Sequence, residues 1–191
     1  MRTSKPRMTL CTLLAAGMLA APAMFAQMSG NMGGMAAADA KKMPSPPAKA
    51  TVSLDGKAVT INYSAPSMRG RKIMGDLVPY GQVWRTGANA ATTLTTAADL
   101  MIGDLKVPAG KYTIYTLPAA GTWKLIINKQ TGQWGTKYDQ AQDLVRVEMK
   151  KSTLPQPQEK MSINFEHTQG ATTELHIRWE TTDVSVPVSA H

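Results

Sequence analysis

The sequence predicts an all-β domain, a β-sandwich or jelly roll of about nine or ten short strands, and three observations support this fold class. Apolar and polar residues alternate in short runs, for example at Met161, Ile163 and Phe165, and a period of two is typical of half-buried strands. Gly, Pro, Asp and Asn separate these runs, and no long helical pattern competes with them. A hydrophobic content of 43% in 191 residues is sufficient for one packed domain.

Residues 1–26 are typical of a secretory signal peptide. Three basic residues lie within the first seven positions, an apolar run follows, and small residues then offer cleavage sites after Ala23 or Ala26. The run is shorter than the roughly 20 residues of a membrane-spanning helix. We therefore expect a periplasmic or extracellular protein with no integral membrane segment after cleavage, the alternative being an uncleaved anchor. The only cysteine, Cys11, lies in this segment, which excludes a disulfide scaffold, a Cys-based zinc site and an iron–sulfur cluster.

Residues 27–50 are predicted to form a flexible linker. The segment is dominated by small residues, Gly, Pro and Met, which bury too little apolar area to offset the entropy lost on ordering. Its thioethers suit Cu(I), so soft-metal handling is one alternative function. The methionines concerned are Met28, Met32, Met35 and Met43.

A single β domain is predicted over residues 51–188. Asp55-Gly56 and Gly103-Asp104 each separate two alternating runs, and such dipeptides favour tight hairpin turns because they tolerate positive φ. A strand is predicted over Lys111–Leu117 and a turn over Pro118–Thr122. Further strands are predicted around Trp123–Ile127, Val145–Met149, Met161–Phe165, Leu175–Trp179 and Val184–Val188, with a short helical turn within 136–144.

Residues 64–92 do not have a strand pattern. The block is long for a plain connection, which typically has about 4–6 residues, and long loops in compact domains are often functional. It contains four basic residues, one acidic residue and several glycines. We therefore place the predicted binding site here.

Three blocks of the domain resemble a known family. GRKIMGDLVPYGQVWRTGANAAT, VPAGKYTIYTLP and WKLIINKQTGQWG are similar to a family of exported bacterial proteins catalogued only as a domain of unknown function, number 2911. The resemblance spans about residues 50–188, although the family usually has Glu after the Asn of VWRTGAN, where this chain has Ala90. It implies an exported β domain and brings no established activity or catalytic residues.

The leading functional prediction is non-enzymatic binding of a small anionic or sugar-like ligand in the cell envelope. Guanidinium groups bind carboxylates, phosphates and sulfates in a bidentate manner, and aromatic rings cover the apolar face of a ligand. A structural alternative is that Trp84 fills the core and Arg85 pairs with Asp76 or Asp99. The predicted ligand-binding residues are Arg69, Arg71, Tyr80, Trp84, Arg85, Thr86, Asn89 and Trp134.

Other function classes receive less support from the sequence. Motifs for a nucleophile elbow, a zinc protease or a phosphate-binding loop are absent, although an envelope hydrolase using a pair of aspartates is an alternative. Removing the three basic residues of the signal peptide lowers the net charge from +8 to +5, and this unclustered excess does not predict nucleic-acid binding. His167, His176 and His191 are expected to be solvated, so neither a metal nor a cofactor is predicted. Nothing in the sequence specifies an oligomeric state.

Overall fold

The computed structural model describes residues 44–191, which form nine antiparallel β-strands in one open sheet. The predicted all-β class is confirmed, and the topology is consistent with a sandwich. The predicted signal peptide and the four linker methionines lie outside the described residues. Within 44–191, no helix has the length and apolar character needed to span a membrane. The strands are β1 (Pro47–Leu54), β2 (Lys57–Ser64), β3 (Thr92–Thr96), β4 (Leu100–Ile102), β5 (Leu105–Val107), β6 (Gly110–Leu117), β7 (Trp123–Asn128), β8 (Asp143–Gln169) and β9 (Thr172–Ala190).

β1 begins at Pro47, inside the segment predicted as linker. The pairing with β2 explains this difference, because it continues through Ala50↔Ile61 to Pro47↔Ser64. Ala50 is buried in the core, so small residues suffice where a partner strand supplies the larger side chains.

Both predicted hairpin turns are present. Leu54 pairs with Lys57, and Asp55 and Gly56 have φ values of 46° and 79°. Positive φ at both central residues is the requirement of a type I′ turn, which matches the twist of the flanking strands. The second turn joins β4 to β5 at Gly103 (φ 61°). A single 3₁₀ turn, Gln140–Gln142, lies within the predicted helical segment 136–144.

β8 is one long strand that serves two neighbours. Residues 143–149 pair with β7, and residues 150–169 pair with β9, so the sheet order is β1-β2-β3-β6-β7-β8-β9-β4-β5. The sequence predicts two strands in this range, around Val145–Met149 and Met161–Phe165, whereas the structure has one. No β9 partner faces β8 between Thr153 and Gln158, where Pro155 and Pro157 lack the N–H that a ladder needs. Side chains from all parts of the sheet enclose one core, which includes Leu54, Ile61, Leu125, Val147, Ile163 and Val184.

The loop of residues 65–91 is held against β8 and β9 by two glutamates. The Glu180 carboxylate accepts hydrogen bonds from the backbone N–H groups of Ile73 (3.0 Å) and Met74 (3.2 Å). The Glu159 carboxylate accepts one from the N–H of Arg69 (2.9 Å). These bonds satisfy backbone groups of the loop and fix the position of its basic side chains.

Candidate functional site

A cavity of about 300 Å³ opens between the 65–91 loop and β9. We call it the arginine cleft because Arg71 and Arg85 both line it. No acidic side chain contributes to its described lining, which gives the cleft a positive character. The remaining lining residues are Ser45, Pro66, Leu77, Val78, Trp84, Gly87, Ala88, Asn89 and Trp179.

Arg85 is half-buried and keeps most of its hydrogen-bonding capacity. Its Nε–H donates to the carbonyl of Gly87 (3.2 Å), one of the five N–H groups of a guanidinium. No carboxylate within residues 44–191 forms an ion pair with it, so the alternative pairing with Asp76 or Asp99 is absent there. Within the part of the chain that the structure describes, the Arg85 charge is therefore not neutralised by a carboxylate.

Arg71 is exposed and is fixed by its own loop. Its Nε donates to the carbonyl of Met68 (2.9 Å), and its Nη2 donates to that of Ser67 (2.8 Å). These two bonds orient the guanidinium and leave further N–H groups free to bind. As with Arg85, no described carboxylate pairs with it.

Two stacked indoles form the aromatic wall of the arginine cleft. The ring centroids of Trp84 and Trp179 lie 5.9 Å apart with an interplanar angle of 18°, and the Trp84 ring is nearly perpendicular to that of Trp123 (88°). The backbone of Trp84 exchanges both hydrogen bonds with Thr116 on β6, so the ring has a rigid base. Trp84 therefore lines the cleft, as the binding prediction requires, and also packs against the core, as the structural alternative requires. Trp179 was missed as a site residue because its strand pattern indicated only an inward face.

Asn89 lies exposed at the rim of the cleft with φ 58°. Its backbone carbonyl accepts from the N–H of Gly135 (3.2 Å), which joins the loop to the segment after β7. Asn adopts positive φ more readily than most residues, so this conformation is compatible with a side chain held at the rim.

A smaller cavity of about 160 Å³ shares Trp84 and Arg85 with the arginine cleft. Gly135, Thr136 and Tyr138 also line it, so the segment that follows β7 lies next to Arg85. The Tyr138 hydroxyl donates to Asp143 Oδ2 (2.6 Å). Burial, followed by this hydrogen bond, raises the pKa of Tyr138 to about 12, so the hydroxyl stays protonated at neutral pH.

Two further predicted ligand residues, Arg69 and Tyr80, are exposed but do not line the cleft. Arg69 Nη2 donates to the carbonyl of Pro44 (3.3 Å). The Tyr80 ring packs at Gly75 and lies 6.0 Å from Lys151 Nζ. Both residues belong to the same loop as Arg85 but do not share its cavity.

Thr86 and Trp134 also lie outside the lining of the arginine cleft. Thr86 is fully buried, and its hydroxyl donates to the carbonyl of Trp84 and to Thr116 Oγ1. Trp134 is 55% exposed, and its backbone forms a bridge with Ala90. The burial of Thr86 prevents contact with a ligand, and Trp134 belongs to the outer surface.

The hydrolase alternative needs two aspartates in one cleft, and no cavity of the described residues is lined by such a pair. A hydrolase could draw its pair of aspartates from Asp76, Asp99, Asp104, Asp139 and Asp143. Of these, only Asp99 lines a cavity of the described residues. That cavity, of about 530 Å³, lies beside β4, β5 and His191 and is mostly apolar. Copper handling by the linker methionines concerns residues outside the described range and stays a prediction.

The prediction of solvated histidines is wrong for His176. This residue is only 8% exposed, whereas His167 and His191 are exposed. Its Nδ1 lies 2.9 Å from Asp183 Oδ1, and Arg178 covers the same carboxylate. His176 alternates with the core residues Leu175 and Ile177, but the side chains of Glu174, Arg178 and Asp183 cover the face on which it lies.

Comparison with known proteins identifies the family. No curated protein and no solved structure matches this chain. Residues 45–188 match the model of a family described as protein of unknown function (DUF2911), and the match covers nearly all of the described domain. The chain therefore belongs to the DUF2911 family.

Proposed function

We propose that this domain binds a small anionic ligand in the arginine cleft, in the periplasm or outside the cell, and that it does so without catalysing a reaction. Suitable ligands are a phosphate, a sulfate or the carboxylate of an acidic sugar. The observation that carries the proposal is that Arg71 and Arg85 line one cavity and have no carboxylate partner among the described residues. The predicted signal peptide supports the location.

The chemistry of the lining favours an anion over a neutral sugar. Each guanidinium keeps several N–H donors in a planar fork that fits a carboxylate or phosphate. The indole of Trp84 already stacks on Trp179, so a ligand ring cannot insert between the two indoles. The wall offers only its remaining surface, which fits an apolar edge of the ligand. Asn89 adds a neutral polar group at the rim. Binding is therefore driven by charge, and the aromatic wall selects shape.

The lining residues are binding groups rather than reactive ones. In the described part of the cleft, they comprise guanidinium, amide, indole, hydroxyl and aliphatic side chains. General acid–base catalysis most often uses His or a carboxylate held within hydrogen-bond reach of the substrate. This composition supports retention of a ligand.

The test is a thermal-shift and calorimetric titration with phosphate, sulfate and glucuronate, and with glucose as the neutral comparison, at constant ionic strength. A ligand at 100 times its Kd adds about 2.7 kcal/mol to stability, which corresponds to several degrees. Arg85→Ala and Arg71→Ala should each weaken anion binding about 10- to 100-fold, because a hydrogen bond to a charged group contributes about 1.5–3 kcal/mol.

Arg69→Ala is the matched control. It removes an exposed arginine of the same loop that does not line the cleft, so anion affinity should stay within about twofold of the unmodified protein. Equal weakening in Arg69→Ala and Arg85→Ala would indicate a diffuse charge effect and refute the site. Absence of any anion-dependent shift would refute the proposed ligand class.

A further inference from the structure

A second cluster of functional side chains lies where β8 and β9 approach their connecting turn. Glu166 and His167 come from β8, and His176 comes from β9. One nitrogen or carboxylate oxygen from each lies within 4.8 Å of the others. The cluster shares no residue with the lining of the arginine cleft.

A break in β8 brings its two neighbouring residues to one side. In a regular strand, consecutive side chains point to opposite faces. Here Glu166 pairs with Glu174 and Gln169 pairs with Thr172, so three steps on β8 match two on β9. His167 has φ 53°, as expected for a β-bulge that re-aims a side chain. The bulge directs His167 toward the face that carries Glu166 and His176.

The His176 imidazole is prepared as a ligand. Its Nδ1 lies 2.9 Å and 3.1 Å from the two oxygens of Asp183. Its Nε2 is buried and has no hydrogen-bond partner among the described residues, an unusual state for a buried polar atom. When Nδ1–H donates to Asp183, the Nε2 lone pair faces the cluster. A carboxylate that fixes the outer nitrogen of a histidine is the common arrangement behind metal-binding imidazoles.

The charges around His176 favour a cation. Glu166 Oε2 lies 3.9 Å from Nε2, and Glu174 Oε2 lies 3.5 Å from it. Arg178 donates to both oxygens of Glu166 and to Asp183 Oδ2, and it fixes these carboxylates while lone pairs on them remain unused. Glu166, Glu174 and Asp183 thus surround His176, whereas Arg178 supplies a single guanidinium, and a divalent ion would balance the excess negative charge.

We infer that Glu166, His167 and His176 bind a divalent transition-metal ion such as Zn²⁺, with Glu174 available as a fourth ligand. Imidazole and carboxylate together suit Zn²⁺ and its neighbours in the first transition series. Ligand atoms around a tetrahedral ion with bonds of about 2.0–2.2 Å lie roughly 3.3 Å apart. The described atoms are somewhat wider than this, and the exposed His167 side chain has the freedom to close the gap.

Binding is tested with tag-free protein and Zn²⁺ in competition with a chromophoric chelator, and with Co²⁺ as an absorbing substitute. We expect one site and visible Co²⁺ bands typical of low coordination number. His167→Gln should weaken Zn²⁺ binding at least about 10-fold and abolish the Co²⁺ bands. Because His167 is exposed, the substitution should leave the fold intact. Asp183→Asn should weaken binding about 10- to 100-fold while the bands persist in shifted form.

His191→Gln is the matched control, because this exposed histidine lies outside the cluster. It should leave both the Zn²⁺ affinity and the Co²⁺ bands unchanged. Arg178 Nη2 also lies 3.2 Å from His176 Nδ1. If Nδ1 accepts a hydrogen bond from it, the imidazole proton is on Nε2 and faces Glu174, so Nε2 has no lone pair for an ion. The inference is overturned by absence of Zn²⁺ binding, or by binding that His167→Gln leaves as strong as before.

Discussion

The Glu180 carboxylate should be a main support of the loop that carries the arginine cleft. It accepts hydrogen bonds from the N–H groups of Ile73 (3.0 Å) and Met74 (3.2 Å). Ile73 is fully buried and Met74 nearly so. In Glu180→Ala, both donors lose their acceptor in a place where water has little access, and an unsatisfied buried donor carries its full desolvation cost.

The expected loss is about 2–4 kcal/mol in the free energy of unfolding. A hydrogen bond to a charged group contributes about 1.5–3 kcal/mol, and the lower part of that range applies because Glu180 is itself partly exposed. Glu180→Gln keeps one neutral acceptor oxygen and should lose about half as much. Urea unfolding measures both variants, and the midpoint should fall while the m-value stays constant.

Glu148→Ala provides the comparison. Glu148 is an exposed residue of β8, and its carboxylate forms no hydrogen bond within residues 44–191. Its removal should therefore change the free energy of unfolding by less than about 0.5 kcal/mol. The reasoning about the loop is refuted if Glu180→Ala is as stable as Glu148→Ala. It is also refuted if Glu180→Ala unfolds earlier but binds anions with unchanged affinity, since a loosened loop would no longer hold Arg71 in position.

Two other perturbations test the surroundings of Arg85. A Cβ added at Gly135 would lie 2.6 Å from Arg85 Cδ, so Gly135→Ala should cost about 1–3 kcal/mol in urea unfolding. Gly121→Ala, which has nothing within 4 Å, should be nearly neutral, and equal stability of the two variants would disprove the contact. The pKa of Tyr138 is raised to about 12, so its stabilising contribution is complete below pH 10 and is lost as pH rises toward 12. Ultraviolet difference titration against Tyr138→Phe should show this late ionisation. In Asp143→Asn, the pKa of Tyr138 should move closer to 10. A Tyr138 titration midpoint at pH 10 in the unmodified protein would contradict the effect of burial.

Local chemistry made the hairpins and much of the loop site predictable. Asp55-Gly56 specifies its turn by itself, because the φ preferences of two adjacent residues decide the turn type. Arg71, Trp84 and Arg85 belong to one irregular block, so a search of that block was sufficient to find them together. Trp179 could not be found in this way, because only the folded sheet brings β9 to the loop.

The histidine cluster was hidden for a different reason. Alternation indicates which face of a strand a residue occupies, but it does not reveal what later folds over that face. The positive φ at His167 is not predictable from the sequence, because no glycine occupies the bulge. In a regular strand, the adjacent Glu166 would lie on the opposite face from His167. Burial of His176 depends on Asp183, which lies on the same strand after a bend.

That bend connects the two sites. A straight strand would separate residues 176 and 183 by about 23 Å, yet His176 and Asp183 are in hydrogen-bond contact. β9 must therefore turn sharply between them, and Glu180, with φ 54°, lies in this interval. The same residue holds the loop of the arginine cleft through its carboxylate. The backbone of Glu180 thus helps to bring Asp183 to His176, a member of the cluster with Glu166 and His167, while its side chain supports the cleft. Removing the carboxylate should therefore weaken anion binding and leave the Asp183–His176 contact in place.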